Sequence, residues 1–301
     1  AGGVDVRTID GPHARFAYYH PKFAVVDNEA LVLTENWKPA GTGGRSSRGW
    51  GVRIRSERTA DALASVFAHD ADGIDAIPWR ERRRNASFVE VDPASGSYDT
   101  AFEPASVEVE NVRVLTAPGN AGNATRRSIE TANDTIDVIS PRLDPSGPYF
   151  EALVAAAERG VDVRILLSNA WYDEESNREL VDHVDRLRDR GLPIEARIAR
   201  PADRFEKIHA KGALIDGRTV LLGSLNWNRH AARENREVVV ALRGEEPASY
   251  YGRTFESDWE AAAGGAGPGV DEWRLHATLA AGALAAVVLA GFVLRRTVEF
   301  E

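Results

Sequence analysis

Two periods of apolar spacing alternate along this chain, and the points where one gives way to the other mark its elements. From residue 107 the alternation of apolar and polar positions predicts strands over 107–116, 135–140, 161–168 and 193–199. Between them an apolar spacing of three to four predicts helices over about 122–133, 148–159 and 175–190. A hairpin follows, with Val220-Leu221-Leu222 as its second strand and Asp216-Gly217 as its turn signal. A strand entered through Asn235-Arg236-Glu237 and running to Arg243, then a helix over 246–262, complete the run. Helices alternating with strands predict an α/β sandwich.

The N-terminal part is leaner. Gly3-Val4-Asp5-Val6-Arg7 reads as a strand matching Leu192–Arg197, Trp50–Arg55 as another, and 57–70 as an amphipathic helix. Residues 85–106, made of Pro, Ser, Gly and acidic residues, read as a connection between one lobe over 1–84 and a second over 107–262. Residues 107–190 of the second lobe have no counterpart ahead of Ala1, and the chain contains no Met, even at position 1. The expectation is therefore an N-terminally incomplete first lobe, with a naturally abbreviated one as the alternative. Near the other end, Ala277–Leu294 carries no charge over 18 residues. As a helix it would span about 27 Å, close to a bilayer core. Trp273 at its near edge and Arg295-Arg296 beyond it predict a single-pass anchor with a cytoplasmic tail and extracytoplasmic lobes, an orientation that needs an export signal.

The candidate chemistry lies in the hairpin. His209-Ala210-Lys211, Asp216 and Gly223-Ser224-Leu225-Asn226 form the pattern H-x-K-x4-D-x6-G-S-x-N. On one strand Ile208, Ala210 and Gly212 would share a face, leaving His209 and Lys211 together on the other. Ser224 and Asn226 would return beside them. The pattern occurs twice: His20-Pro21-Lys22, Asp27 and Thr34-Glu35-Asn36-Trp37 repeat it 189 residues earlier up to the Asp, the hairpin that follows being one residue shorter. Arg15-Phe16 and Arg204-Phe205 precede the two copies at the same distance. Two imidazoles, two ammoniums and two carboxamides can supply a nucleophile, a proton donor and charge stabilisation for a phosphodiester. Asp27 and Asp216 end strands at turns and are expected to cap backbone N–H groups.

Over roughly residues 1–262 the chain resembles the phospholipase D superfamily, whose mark is two H-x-K-x4-D motifs meeting at one active site. The resemblance implies two α/β sandwich lobes and a two-step reaction without a cofactor or, usually, a metal. One His attacks phosphorus to form a phosphohistidine, the other protonates the leaving alcohol, and Lys and Asn hold the non-bridging oxygens. It implies catalytic roles for His20, Lys22, Asn36, His209, Lys211, Ser224 and Asn226, with Thr34, Asp27 and Asp216 in support. Glu237 stands where the family often has a carboxylate that holds the motif His; the first copy has Arg48-Gly49-Trp50 there and no acid. In the family the first-copy His, here His20, is usually the nucleophile.

Composition narrows this further. With no Cys there are neither disulfides nor thiolate metal sites. A net charge of −9 gives no global attraction to nucleic acid or anionic membrane, so phosphate must be attracted locally. Only four Lys stand against 33 Arg, and two of the four lie in the motifs. An acidic, Lys-poor surface suggests adaptation to high salt, although a GC-rich genome would also favour Arg. The glycine-rich stretch 41–49 precedes a strand, not a helix, so it fails as a dinucleotide or P-loop motif. It reads as a loop at the site mouth with Arg45 and Arg48 as phosphate contacts, or as a plain solvated loop. The basic run 79–84 reads as a linker charge run sooner than a nucleic-acid patch, and Pro118-Gly119-Asn120 as a turn.

The leading functional expectation is a membrane-tethered phosphodiesterase, hydrolase or phosphatidyltransferase, acting on phospholipid. A metal-independent nuclease and a non-catalytic phosphate-binding module are the alternatives, and no pattern points to an obligate protein partner.

Overall fold

The alternating segments beyond residue 107 pair into one seven-stranded sheet. Its order is Ile194–Ile198, Asp162–Leu167, Thr135–Ser140, Gly212–Ile215, Thr219–Gly223, Glu237–Arg243 and Asn111–Ala117. The first three strands run parallel and are joined by helices; the others are antiparallel. The computed structural model describes residues 3–42, 46–87, 102–201 and 204–263 of the 301-residue chain.

Strand alternation assigns each face its core. On one face Ile136, Val138, Ile165, Ala213, Leu221 and Val239 pack under helices Ala121–Glu130, Pro148–Glu158 and Glu174–Asp189. On the other, Ile139, Leu166, Leu214, Val220, Leu222, Val238 and Val240 meet helix Glu245–Ala263, whose Phe255 and Trp259 stack at 5.7 Å. Phe255 is fully buried, so its truncation to Ala would cost about 3–5 kcal/mol. The expected strand over 107–116 starts only at Asn111 because its partner ends at Arg243, opposite that residue. The sequence alternation continues past the end of the available edge.

The first motif copy forms a three-stranded antiparallel sheet: Phe23–Val26, Glu29–Leu33 and Gly51–Arg55, followed by helix Glu57–Ala71. Ser56 caps this helix, accepting from the Thr59 amide. Ala30, Val32, Trp50, Ile54 and Leu63 join the same apolar cluster as the second face of the large sheet. The connection expected over 85–106 therefore does not divide two separate cores, and Ala1–Ala262 gathers into one compact unit.

The N-terminal strand departs from its expected place. Arg7–Ile9 pairs antiparallel with Ala76–Pro78 in a sheet of two, whereas Ile194–Ile198 lies parallel to Asp162–Leu167. The described part of the first copy has no strand equivalent to Asp162–Leu167 for it to join. Among the described residues no helix is long and apolar enough to cross a membrane; the span expected over 277–294 lies outside them.

Candidate active site

The motif histidines sit where strands break, not along one continuous strand. Lys207–Ile208 pairs in parallel with Ser47–Arg48, and only from Gly212 does the chain join the large sheet. Between them the amides of His209 and Ala210 both reach the carbonyl of Arg48, at 3.0 and 2.9 Å. The bend arises because the chain changes pairing partner within the motif. The first copy is bound reciprocally. Tyr19 bridges in parallel to Arg236, the His20 amide donates to the Arg236 carbonyl at 3.0 Å, and the Arg236 amide donates to Tyr18 at 2.8 Å. Each His segment is thus held by the strand that follows the other copy's motif.

This crossing decides which carboxylate meets which imidazole. His20 Nδ1 lies 2.9 and 3.1 Å from the two oxygens of Glu237, which is fully buried. Glu237 therefore serves His20, not the His209 of its own copy as expected. Asn235 Nδ2 donates to Glu237 Oε1 at 3.0 Å and fixes the carboxylate. The neighbouring Arg236 donates through Nε to Asp70 at 2.8 Å, tying the strand to the end of helix Glu57–Ala71.

His209 has a carboxylate as well, from an unforeseen source. Its Nδ1 lies 3.2 Å from Glu35 Oε2, at ion-pair distance but too oblique for a well-formed hydrogen bond. Glu35 occupies the position that Leu225 takes in the other copy, and both are buried. A Cβ at Gly49 would stand 2.1 Å from Glu35 Cγ and 2.5 Å from its Oε1. Residue 49 is the counterpart of Glu237 in the repeat, so the Glu35 side chain fills the space that an acid at 49 would use. The expected lack of an acid for the first copy is corrected accordingly. The sequence signal was a charged residue where its twin is apolar, beside a glycine where its twin is acidic.

Lys22 and Lys211 are nearly fully buried and donate to carbonyls within their own motifs, Lys22 to His20 at 2.5 Å and Lys211 to His209 at 2.7 Å. Burial pushes Lys22 down to about 7, against the pull of Glu237 and Glu35. Burial, then the Lys22 ammonium, brings Lys211 to about 7, against Glu35, Glu237 and Asp173. Burial also lowers His209 below the ordinary imidazole value, with Lys211 and Lys22 adding to the effect and Glu35 opposing it. Residues of both copies thus share one electrostatic environment.

Asn36 and Asn226 are half-buried, and neither carboxamide has a hydrogen-bond partner among the described residues. Ser224 faces differently from its expected catalytic place. Its fully buried hydroxyl accepts from the Val238 amide at 3.0 Å and donates to the Val238 carbonyl at 3.3 Å. Thr34 does the same at Trp50, accepting at 2.9 Å and donating at 3.1 Å. Gly223 precedes Ser224 because a Cβ there would lie 2.2 Å from the Val238 carbonyl oxygen. Asp216, at φ 51°, accepts from the amides of Asn133, Asp134 and Thr135 at 2.9–3.2 Å. Asp27 has the same φ of 51° but is exposed and accepts from no amide among the described residues. Arg48 is committed to Asp258, 2.8 Å from Nε, and stacks 4.7 Å over Phe205, so it is not a free phosphate contact. Arg45 lies outside the described residues.

Residues 125–259 match the family model described as cardiolipin synthase, PLD-like domain. A mitochondrial cardiolipin hydrolase of Chlamydomonas reinhardtii is 30% identical over 102 residues, covering 34% of this chain and 41% of that protein. A cardiolipin synthase of Listeria welshimeri is 31% identical over 116 residues, 38% of this chain and 23% of that protein. The chain therefore spans less than half the length of these curated relatives. Phosphatidylserine synthase of Haemophilus influenzae superposes with a TM-score of 0.57 at 17% identity, over 81% of this chain and 61% of that one. The fold is that of the phospholipase D-like α/β proteins. The sequence likenesses support membership of the phospholipase D superfamily.

Proposed function

We propose that the protein is a phosphodiesterase of the phospholipase D type acting on phospholipids, as hydrolase or phosphatidyltransferase. The observation that carries this reading is the reciprocal pair His20–Glu237 and His209–Glu35, set around the buried Lys22 and Lys211. The similarity to cardiolipin hydrolases and synthases supports phospholipid as the substrate class.

In the first step Nε2 of one imidazole attacks phosphorus, and the P–O bond to the leaving alcohol breaks. The second imidazole, protonated, gives its proton to that oxygen. It then takes a proton from water or an acceptor alcohol, whose oxygen attacks phosphorus and releases the first imidazole. We assign attack to His20. Both Glu237 oxygens lie on its Nδ1 side, leaving Nε2 free and balancing the positive charge that phosphorylation puts on the ring. His209 is then the acid and base. Lys22, Lys211 and the unpartnered carboxamides of Asn36 and Asn226 hold the non-bridging oxygens. Ser224 and Thr34 brace the backbone that carries those carboxamides.

The test is turnover of phospholipid vesicles in EDTA by the wild type and by His20→Ala and His209→Ala, with single-stranded DNA as the second substrate. Head-group release or exchange that requires both histidines is expected. DNA cleavage with that dependence and no lipid turnover would replace the reading with a nuclease.

A further inference from the structure

The exposed Trp and Tyr side chains lie near the motifs, while Phe67 is exposed on helix Glu57–Ala71. Among the described residues the Trp and Tyr side chains most open to solvent are Trp171 at 79%, Trp37 at 55%, Tyr172 at 51%, Tyr18 at 42% and Tyr19 at 38%. Tyr18 and Tyr19 directly precede His20, and Trp37 directly follows Asn36. Trp171 packs edge-on against Tyr172, and the Tyr172 ring lies 5.4 Å from Lys207 Nζ, two residues before His209. Asp173, next along that loop, is close enough to Lys211 to act on its charge. Trp50, Trp227 and Trp259, by contrast, are buried.

The lysines follow the same distribution. Lys22 and Lys211 lie within the site, and the chain's other two, Lys38 and Lys207, adjoin Trp37 and Tyr172. All 33 remaining basic residues are Arg. Exposed aromatic surface costs free energy in water and is retained where it meets a partner. Trp and Tyr rings, apolar in body and polar at one edge, suit the boundary between lipid and water, and lysines beside them suit anionic head groups. A single-stranded nucleic acid would need a cationic track along its backbone. Two rim lysines are short of such a track; the net charge of −9 disfavours long-range attraction to either polyanion and does not decide between them.

We propose that Trp37, Trp171 and Tyr172, with Lys38 and Lys207, dock the protein on an anionic phospholipid bilayer and hold the His20–His209 site at head-group depth. The proposal rests on the phospholipid reading above and adds the surface that presents the substrate.

The experiment compares the full chain with its W37A/W171A variant, folding being checked by circular dichroism. Both are given phosphatidylglycerol vesicles and a water-soluble diester, bis(p-nitrophenyl) phosphate. Vesicle turnover is expected to fall at least tenfold while soluble turnover stays within twofold. Vesicle turnover that is unchanged, or that falls in step with the soluble diester, overturns the proposal. If the wild type turns over neither diester, the catalytic reading fails by itself. The docking surface is then decided by fluorescence: brominated lipid that quenches the wild type more than the variant upholds it, and equal quenching overturns it. Loss of quenching by single-stranded DNA, with none by lipid, would make the surface a nucleic-acid platform instead.

Discussion

Glu35 fills the space beside Gly49 that a side chain at residue 49 would occupy, with its Cγ 2.1 Å from where that Cβ would stand. The acid serving His209 thus comes from residue 35, within the first motif copy, and not from residue 49 after it. Glu35→Leu, which copies Leu225 of the other half, should lower turnover about 100-fold by removing the group that orients the imidazole. Gly49→Glu in the wild type should destabilise the protein by crowding Glu35. The double variant E35L/G49E should recover at least tenfold over E35L. Steady-state rates on one substrate check this, and a double variant no better than E35L would show that the two positions do not exchange roles.

With a leaving group that needs no proton, such as the p-nitrophenolate of bis(p-nitrophenyl) phosphate, removing the acid–base partner should leave the covalent intermediate on the nucleophile. His209→Asn is expected to accumulate a phosphoryl adduct on His20, seen by mass spectrometry after rapid quenching, whereas His20→Asn should accumulate none. Turnover in each should fall about 10⁴-fold or more. An adduct on His209 in the His20 variant would reverse the assignment.

The two buried lysines make anion binding depend on pH. Each titrates at about 7 instead of 10.5 because burial disfavours its charge. A bound anion favours the protonated forms, so binding above pH 7 must take up protons, and affinity must fall as pH rises through about 7. Sulfate, which does not itself titrate there, is the probe. Calorimetry at pH 8 in buffers of different ionisation enthalpy should give an uptake of roughly one to two protons, and no buffer dependence would contradict it. Stability has the opposite sign. Between about 7 and 10.5 the unfolded chain holds protons that the native lysines have shed, so their contribution becomes more favourable as pH rises.

Asp27 and Asp216 share a turn conformation and differ in what they hold. Glycine at either site relieves the positive φ. Asp216→Gly should still cost about 2 kcal/mol, because three backbone amides lose their acceptor. Asp27→Gly should be neutral or slightly stabilising. Urea denaturation of the two variants measures the difference, and equal losses would mean that the cap at Asn133–Thr135 contributes nothing.

Most elements of the second copy were legible because each obeys one clear period; Thr135–Ser140 and the strand ending at Arg243 begin and end as the alternation indicates. The doubled motif was legible through its spacing alone. What the sequence did not convey was pairing across the repeat. Glu237 is 28 residues from His209 in the chain, yet it reaches His20, because Arg236 pairs with Tyr19 and no local pattern encodes that choice. Ser224 looked chemical by type, but burial turns its hydroxyl to the Val238 backbone. Arg48 looked like a free cation until Asp258, from helix Glu245–Ala263, closed on it.

The crossed attachment of the two motif segments also has a genetic consequence. A lesion near one motif shows its defect on the imidazole of the other, so suppressors of a damaged Glu237 belong around Tyr18–His20, more than 200 residues away in the chain. The two copies are not independent, since each imidazole takes its acid from a segment of the other copy. An acid at 35 can serve His209 in place of one at 49, because its side chain reaches the same space by another route.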